Sequence, residues 1–338
     1  MSDKLKILGG ALTIIEKIRT EALSFDGLDA AISRLPNHHP KFKILKDRHT
    51  ALESGIGGEK RVEDTLRSHS LPFENRIFFD LHLFSTENFQ LDAIILTPSY
   101  VLILEIKNIS GILSFNDDPP HLMRTNSDGS KDGFDSPVPQ LERNCELLSK
   151  WLSKKSIDLP VFGAIVLAYP KQIVDKSPAA TTILYPKLIP AYIKKLFDEH
   201  RSKSLDKKSF HRLISEIMRS HSIYVPNPIA DTYGISKNDF KTGVKCKECG
   251  IFGMRKYFKK WVCDSCGNRS GVAHYHAMKD WFLLFGARMT NRDCREFLGV
   301  DNKHKATRIL QSMDLKHEGS FRDRVYWMDL RTFKIPSE

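Results

Sequence analysis

Two uninterrupted apolar runs, Ala93-Ile94-Ile95-Leu96 and Val101-Leu102-Ile103-Leu104, constrain this fold more than any other feature of the chain. A strand with one wet face alternates apolar and polar residues, and these runs do not. They have the pattern of central strands covered on both sides by helices. The short Pro98-containing turn between them folds the chain back on itself, so the runs pair as a hairpin. Further strands are expected at about 75–84 and from Val161 to Tyr169, with a short turn-back at 111–115. Helical patterns lie at 138–155, 189–200 and 207–221, and the whole predicts an α/β fold, a mixed sheet flanked by helices.

The charged residues of the hairpin sit at its ends. Asp92 opens the first strand and Glu105-Ile106-Lys107 closes the second. The hairpin returns on itself, so Asp92 and Glu105 fall at the same end. Side chains alternate along a strand, so Glu105 and Lys107 point the same way and Ile106 points into the core. Charges at the edge of a buried sheet must be paired or bind metal. Two carboxylates and a lysine suit a Mg²⁺-dependent phosphodiester hydrolase, in which carboxylate oxygens hold the metal and the lysine offsets phosphorane charge. The same spacing also occurs in ordinary half-buried hairpins.

Upstream lies Gly55-Ile56-Gly57-Gly58-Glu59, read as a Gly-rich turn opening a helix in which Val62 faces inward and Lys60, Arg61 and Arg67 outward. By itself Glu59 reads first as a routine first-turn acid complementing the helix dipole. Downstream lies Pro137-Val138-Pro139-Gln140 at the start of another helix. Gly-x-x-Gly-Glu, Gln-x-Asp, Glu-x-Lys-Asn and Pro-x-x-Gln, in that order, resemble the nuclease-related domain (NERD) family of the PD-(D/E)xK nuclease superfamily. The resemblance covers roughly residues 45–170. It implies an αβββαβ restriction-endonuclease-like core and Mg²⁺ (or Mn²⁺) held by Asp92, Glu105 and the Ile106 carbonyl. It further implies Lys107 as catalytic lysine, Glu59 as auxiliary acid and Gln140 as a helix glutamine at the site. The chain departs from the commonest family pattern at Ala93, where many relatives have His, and in a polar insertion before the Gln140 helix.

At 338 residues the chain exceeds a single compact core, and two or three domains are expected. No segment reaches the apolar length of a membrane span. The run from Ile7 to Ile15 reads as an amphipathic helix rather than a signal peptide, so the expected location is the cytoplasm. Residues 207–338 carry 25 Lys+Arg against 14 Asp+Glu, whereas residues 1–206 carry 27 of each. Excess positive charge thus lies in the C-terminal part, where it fits either a polyanion partner or a solvated basic surface.

Cys246-Lys-Glu-Cys249-Gly250 and Cys263-Asp-Ser-Cys266-Gly267 are two Cys-x-x-Cys knuckles with the spacing of a four-thiolate Zn²⁺ site. A glycine after each knuckle permits the tight turn that aims N–H groups at sulfur. Paired disulfides are disfavoured in a cytosolic chain. Tyr257, Phe258 and Trp261, interleaved with Arg255, Lys256, Lys259 and Lys260, are either the core of this zinc ribbon or a surface for phosphates and bases. His274 and His276 are expected at the surface, and Cys145 and Cys294 as core thiols.

The last sixty or so residues resemble a winged helix-turn-helix. A helix from His274 to Phe285 precedes one capped by Thr290, a third from Asp301 to Met313, and a hairpin. That resemblance places Lys303, Lys305 and Arg308 in the major groove of DNA and Arg322 and Arg324 on the wing. The alternative is a small helical domain for protein contact.

The expected organisation is an N-terminal helical segment (1–44), a nuclease-like domain (45–225), a linker (226–243), a zinc ribbon (244–271) and a winged-helix-like domain (272–338). Asn116 to Ser136, rich in Asp, Asn, Ser, Pro and Gly, is expected to be a mobile loop. The leading function is a metal-dependent DNA endonuclease for DNA processing or defence against foreign DNA. The rivals are a non-catalytic DNA-binding regulator that keeps a nuclease fold and an RNA nuclease.

Overall fold

The structure, a computed structural model, describes residues 13–18, 23–202, 204–286, 288–320 and 323–338. It divides into two compact units, Met1–Thr20 with Glu53–Ile223, and Glu21–Leu52 with Tyr224–Glu338. Three elements open the chain: β1 (Thr13–Lys17), α1 (Leu23–Arg34) and α2 (Phe42–Ser68). The boundary between the units falls within α2, and α1 belongs to the second unit.

The first unit continues with β2 (Asn75–Phe84), β3 (Asn88–Leu96), β4 (Val101–Lys107), β5 (Gly111–Asp117), β6 (Pro120–Thr125) and β7 (Lys131–Asp135). Then come α3 (Pro137–Ser153), β8 (Val161–Leu167), β9 (Gln172–Lys176), β10 (Thr182–Leu184), α4 (Ile189–His200) and α5 (Lys207–Ser220). A six-stranded mixed sheet runs in the order β1-β2-β3-β4-β8-β10. Strands β2, β3 and β4 are antiparallel neighbours, and β8 lies parallel to β4. The mixed sheet flanked by helices matches the expectation from the apolar runs.

Both faces of β4 are buried, for the reason the runs gave. Val101 and Ile103 join one cluster with Leu141, Leu147 and Trp151 of α3 and Phe210 and Leu213 of α5. Leu102, Leu104 and Ile106 join another with Val62 and Leu66 of α2 and Ile189 and Ile193 of α4. Two glycines let the helices approach. A Cβ on Gly163 of β8 would lie 2.8 Å from Leu141 Cγ and 2.9 Å from Cys145 Sγ. A Cβ on Gly58 of α2 would lie 2.9 Å from Asn108 Cβ and 3.2 Å from Ala168 Cβ.

Four expectations are corrected in this unit and at its start. The first 44 residues are not wholly helical: Thr13–Lys17 is a strand paired parallel to β2, with the apolar Ile14 and Ile15 opposite Arg76 and Ile77. The rest of the run from Ile7 lies outside the described residues. Second, the Gly-rich segment at 55–58 is no turn, because α2 passes straight through it. Gly58 is retained for close packing, which outweighs the poor helix propensity of glycine. Third, Asn116 to Ser136 is no loop. Its turn residues punctuate β5, β6 and β7, which form a four-stranded sheet with β9 in the order β7-β6-β5-β9. Fourth, the helix expected to open at the Gly-rich segment starts well before it: α2 runs unbroken from Phe42 to Ser68.

The second unit adds α6 (Ile229–Tyr233), β11 (Arg255–Tyr257), β12 (Lys260–Val262), β13 (Arg269–Ser270), α7 (Ala273–Phe285) and β14 (Met289–Thr290) to α1. It ends with α8 (Asn291–Leu298), α9 (Lys303–Ser312), β15 (Lys316–Glu318) and β16 (Val325–Trp327). The stretch expected as a linker, 226–243, is folded: Ile229, Ala230, Ile235 and Phe240 share a core with Leu28 and Ala31 of α1 and with Leu35 just after it. Nor does α1 form a separate N-terminal segment. Arg34, fully buried, donates to Asp280 Oδ2 of α7 from Nε and Nη2 at 2.9 and 2.8 Å. Its Nη1 reaches the carbonyls of Lys241 and Gly243, and its guanidinium lies 4.8 and 4.4 Å from the Phe252 and Phe297 ring centroids. The cysteine-rich segment and the C-terminal helices share one core, in which Trp261 packs with Met278 and Trp281 of α7. Among the described residues no helix is long and apolar enough to cross a membrane.

A tight glycine and an open one define a stability test. Gly163→Ala should destabilise the protein by about 1–3 kcal/mol, the usual range for overpacking. Gly57→Ala, which meets nothing within 4 Å on the same unit's helix, should instead stabilise by roughly 0.5–1 kcal/mol. Denaturant titration of both variants checks the contrast.

Candidate active site and cysteine cluster

The register Ala93↔Leu104, carried one residue further, sets Asp92 against Glu105 across the antiparallel pair. Asp92 Oδ2 accepts the Ile106 N–H at 2.8 Å, which ties the end of β4 to β3. Glu105 is 1% exposed. Its Oε1 accepts from Lys107 Nζ at 2.6 Å, while its Oε2 is buried without a hydrogen-bond partner. Lys107, more open than Glu105, also donates to Gln140 Oε1 at 3.2 Å.

Gln140 is placed by α3. Ser136 caps that helix, accepting the Val138 N–H at 3.3 Å, and Pro137 occupies its first turn, where a missing N–H does no harm. One turn on, buried Asn144 donates from Nδ2 to the Gln90 carbonyl at 3.0 Å. The helix bearing Gln140 is thus fastened to the strand bearing Asp92. Gln140 and Asn144 lie four apart and share a helix face, which is a signal the sequence holds.

The turn after Lys107 is held by Gln172, a buried residue that sequence reasoning missed. Its Nε2 donates to the carbonyls of Lys107 and Ile109 at 3.3 and 3.0 Å, and its Oε1 accepts the Tyr169 N–H at 2.7 Å. A single glutamine beyond a strand carries no sequence signal for this role. Asn108, next to Lys107, donates from Nδ2 to the Ser54 carbonyl of α2 at 2.8 Å. Glu59 follows Gly58 on that helix and is half-buried. It does not complete a three-carboxylate group with Asp92 and Glu105. Among the described residues the four cysteines alone form a set of three or more His, Cys, Asp or Glu ligand atoms within 4.8 Å of one another.

Burial, and after it the negative charge of Asp92, pushes the Glu105 carboxyl up to about 7, against the opposing pull of Lys107. A pair of carboxylates in so dry a site cannot hold two charges unless cations are at hand. The arrangement is a compact set of hard oxygen donors beside a lysine.

In the second unit, Cys246 and Cys263 are buried and Cys249 and Cys266 exposed, and all four are free thiols. The Cys246–Cys266 and Cys249–Cys263 sulfurs lie 3.6 and 3.5 Å apart. A tetrahedron with metal–sulfur bonds of about 2.3 Å has edges of about 3.8 Å, so the cluster is compatible with zinc. Gly250 and Gly267 take φ of +73° and +74°, and their N–H groups return to the carbonyls of Cys246 and Cys263 at 2.9 Å each. Burial would raise the Cys246 thiol, but the N–H groups of Cys249 and Glu248 and the Asn268 amide outweigh it and bring it to about 6. His274 is not at the surface as expected. It is buried on α7, where its Nδ1 accepts from Trp261 Nε1 at 3.0 Å. His276 is exposed as expected, and Cys294 is a buried thiol that burial pushes up to about 12.

On α9, Lys303, Lys305 and Arg308 are exposed, opposite buried Ala306, Ile309 and Leu310. The helix is capped by Asn302 rather than starting at Asp301. Arg324 is half-buried just before β16, and Arg322 lies outside the described residues.

A family model described as a nuclease-related domain (NERD) matches residues 54–168. The matched segment is about a third of the chain and contains Glu59, Asp92, Glu105, Lys107 and Gln140, but none of the four clustered cysteines. No curated protein and no solved structure matches the chain.

The raised Glu105 carboxyl has a signed consequence. Between the ordinary carboxylate range and pH 7 the folded protein holds a proton that the unfolded chain has released. Stability is therefore fully present below the unfolded value and is lost as pH rises through about 7. Without added divalent cations the loss should be on the order of 3 kcal/mol, and Glu105→Gln should remove it. Denaturant titrations of both proteins at pH 5, 6, 7 and 8 measure the slope.

Proposed function

We propose that the chain is a metal-dependent DNA endonuclease that hydrolyses phosphodiester bonds at the Asp92/Glu105/Lys107 site. The observation that carries this reading is Glu105 Oε2, a buried carboxylate oxygen with no donor, beside a second carboxylate. Such an atom is costly to bury unless a cation takes it up. The helix–strand–strand–strand–helix–strand order α2-β2-β3-β4-α3-β8 supports a PD-(D/E)xK-type core, and the NERD match spans it.

The donor set fits a hard divalent cation, Mg²⁺ or Mn²⁺, held by Asp92, Glu105 and the Ile106 carbonyl. When bound, that ion supplies Lewis-acid charge to the phosphate and acidifies water for attack. Asp92 keeps one oxygen on the Ile106 N–H, so it also holds the strand end that carries the site. Lys107, braced by Glu105 and Gln140 and partly open to solvent, presents positive charge to the developing phosphorane. Glu59 serves as auxiliary acid from α2. The anchor of Asn108 on Ser54 keeps that helix at the same edge.

In the second unit we assign structural Zn²⁺ to Cys246, Cys249, Cys263 and Cys266. The order α7-β14-α8-α9-β15-β16, with its sheet in the order β14-β16-β15, supports a winged helix-turn-helix reading. On that reading Lys303, Lys305 and Arg308 meet the DNA major groove and Arg322 and Arg324 the wing.

Two outcomes are expected. Plasmid, linear duplex, single-stranded DNA and RNA should be assayed with Mg²⁺, Mn²⁺ or EDTA. DNA cleavage should require the metal, and Asp92→Ala, Glu105→Ala and Lys107→Ala should each lower it by a hundredfold or more, typical of lost electrostatic stabilisation. Cleavage that survives in EDTA or in all three variants would refute the site, and cleavage of RNA alone would move the substrate. Metal analysis should also find about one Zn²⁺ per chain, lost together with fold of the second unit in Cys263→Ser.

A further inference from the structure

The cysteine cluster carries a small three-stranded sheet, β11-β12-β13, whose two faces do different things. Pairing sets Lys256 opposite Trp261 and Trp261 opposite Ser270 on one face. That face is internal: Trp261 is fully buried and bonded to His274. The other face carries Arg255, Tyr257, Lys260, Val262 and Arg269. At the hairpin tip Phe258 takes φ +53°, in the turn between β11 and β12. Tyr257 and Phe258 are 71% and 89% exposed. The module's core is therefore supplied by Trp261 and its neighbours, and the two tip rings are not part of it.

Exposed aromatic rings lose nothing by becoming smaller polar residues unless something else covers them. Here Tyr257, Phe258, Lys259, Lys260, Val262 and Arg269 line one open depression of about 250 Å³. Arg255 on this face is paired with Asp264 at 2.6 Å. Lys256 Nζ donates to the Lys259 carbonyl at 3.1 Å and steadies the turn. Two rings beside three cations match a polyanion with flat, apolar units along it.

We propose that this hairpin tip binds single-stranded DNA, with bases stacking on Tyr257 and Phe258 and phosphates meeting Lys259, Lys260 and Arg269. Duplex DNA hides the faces of its bases, so rings on a protruding tip have stacking partners only where bases are unpaired. The site lies on other elements than α9, which carries exposed cations but no Phe, Tyr or Trp. It adds to the proposed nuclease a grip on the unpaired strand, and so builds on that reading, but it is measured by binding alone.

The test uses the full-length protein in a Lys107→Ala background, with short fluorescent single-stranded DNA, duplex DNA and RNA of one sequence. Tyr257→Ala/Phe258→Ala should weaken single-strand binding tenfold or more, each stacked base contributing roughly a five- to 150-fold factor. Duplex binding should change less than twofold. Tyr257→Phe should keep the affinity, while Tyr257→Leu/Phe258→Leu should lose it despite equal apolarity. Lys259→Gln/Lys260→Gln should flatten the salt dependence. Zinc content and thermal melting, unchanged in each variant, report an intact fold. Unchanged single-strand affinity, or equal losses on single strand and duplex, would overturn the proposal. Preference for RNA would overturn the choice of polymer. Loss confined to binding of anionic phosphatidylserine vesicles would overturn the class of partner. Absence of cleavage by the wild-type protein would refute the nuclease reading and leave these binding results standing.

Discussion

The pairing of β3 with β4 is the constraint on which the first unit depends. β4 and the second half of β3, Ala93 to Leu96, are apolar on both faces, so these stretches can neither lie at an edge nor meet water. Charge enters the pair where the apolar runs stop, in mid-β3 at Asp92 and near the end of β4 at Glu105, and the register that aligns Ala93 with Leu104 brings the two acids together there. A slip by one residue would turn the buried set of each strand over and separate the acids. The chemistry of the site and the packing of the sheet are thus consequences of one alignment.

Covering that sheet requires helices to come close, and the two glycines at the contact points show how close. Gly58 brings α2 against the end of β4, next to Asn108, and Gly163 brings α3 against β8. The helix with Glu59 and the helix with Gln140 are set by these contacts. Polar fasteners then act within the frame: Asn144 on Gln90, Asn108 on Ser54 and Gln172 on the turn beyond Lys107. Steric approach sets each helix coarsely, and hydrogen bonds set the side chains.

Much of this was legible in the sequence where local pattern and tertiary demand agree. The unbroken runs marked the central strands, alternation put Glu105 and Lys107 on one side, and the knuckle spacing marked the four cysteines. Reading failed where one residue type serves two purposes. The glycines at 55–58 looked like a turn, yet one of them serves helix–sheet contact inside a helix. The Asp, Asn, Pro and Gly residues at 116–136 are turn formers with the composition of a loop, yet they join three short strands. Partners distant in sequence left no local trace: β1 pairs with β2, His274 holds Trp261, and Arg34 reaches Asp280.

That last contact bears on how the chain is made. The second unit is built from two pieces of sequence with most of the first unit between them. During synthesis α1 leaves the ribosome early, with Leu28, Ala31 and Leu35 ready to bury and a guanidinium whose carboxylate partner is still unmade. The nuclease-related segment is completed next, since its strands and helices need nothing beyond residue 223. Only when the last third of the chain emerges can the waiting helix dock. Until residues 224 onward are made, Leu28, Ala31 and Leu35 lack Ile229, Ile235 and Phe240, the apolar partners with which they share a core.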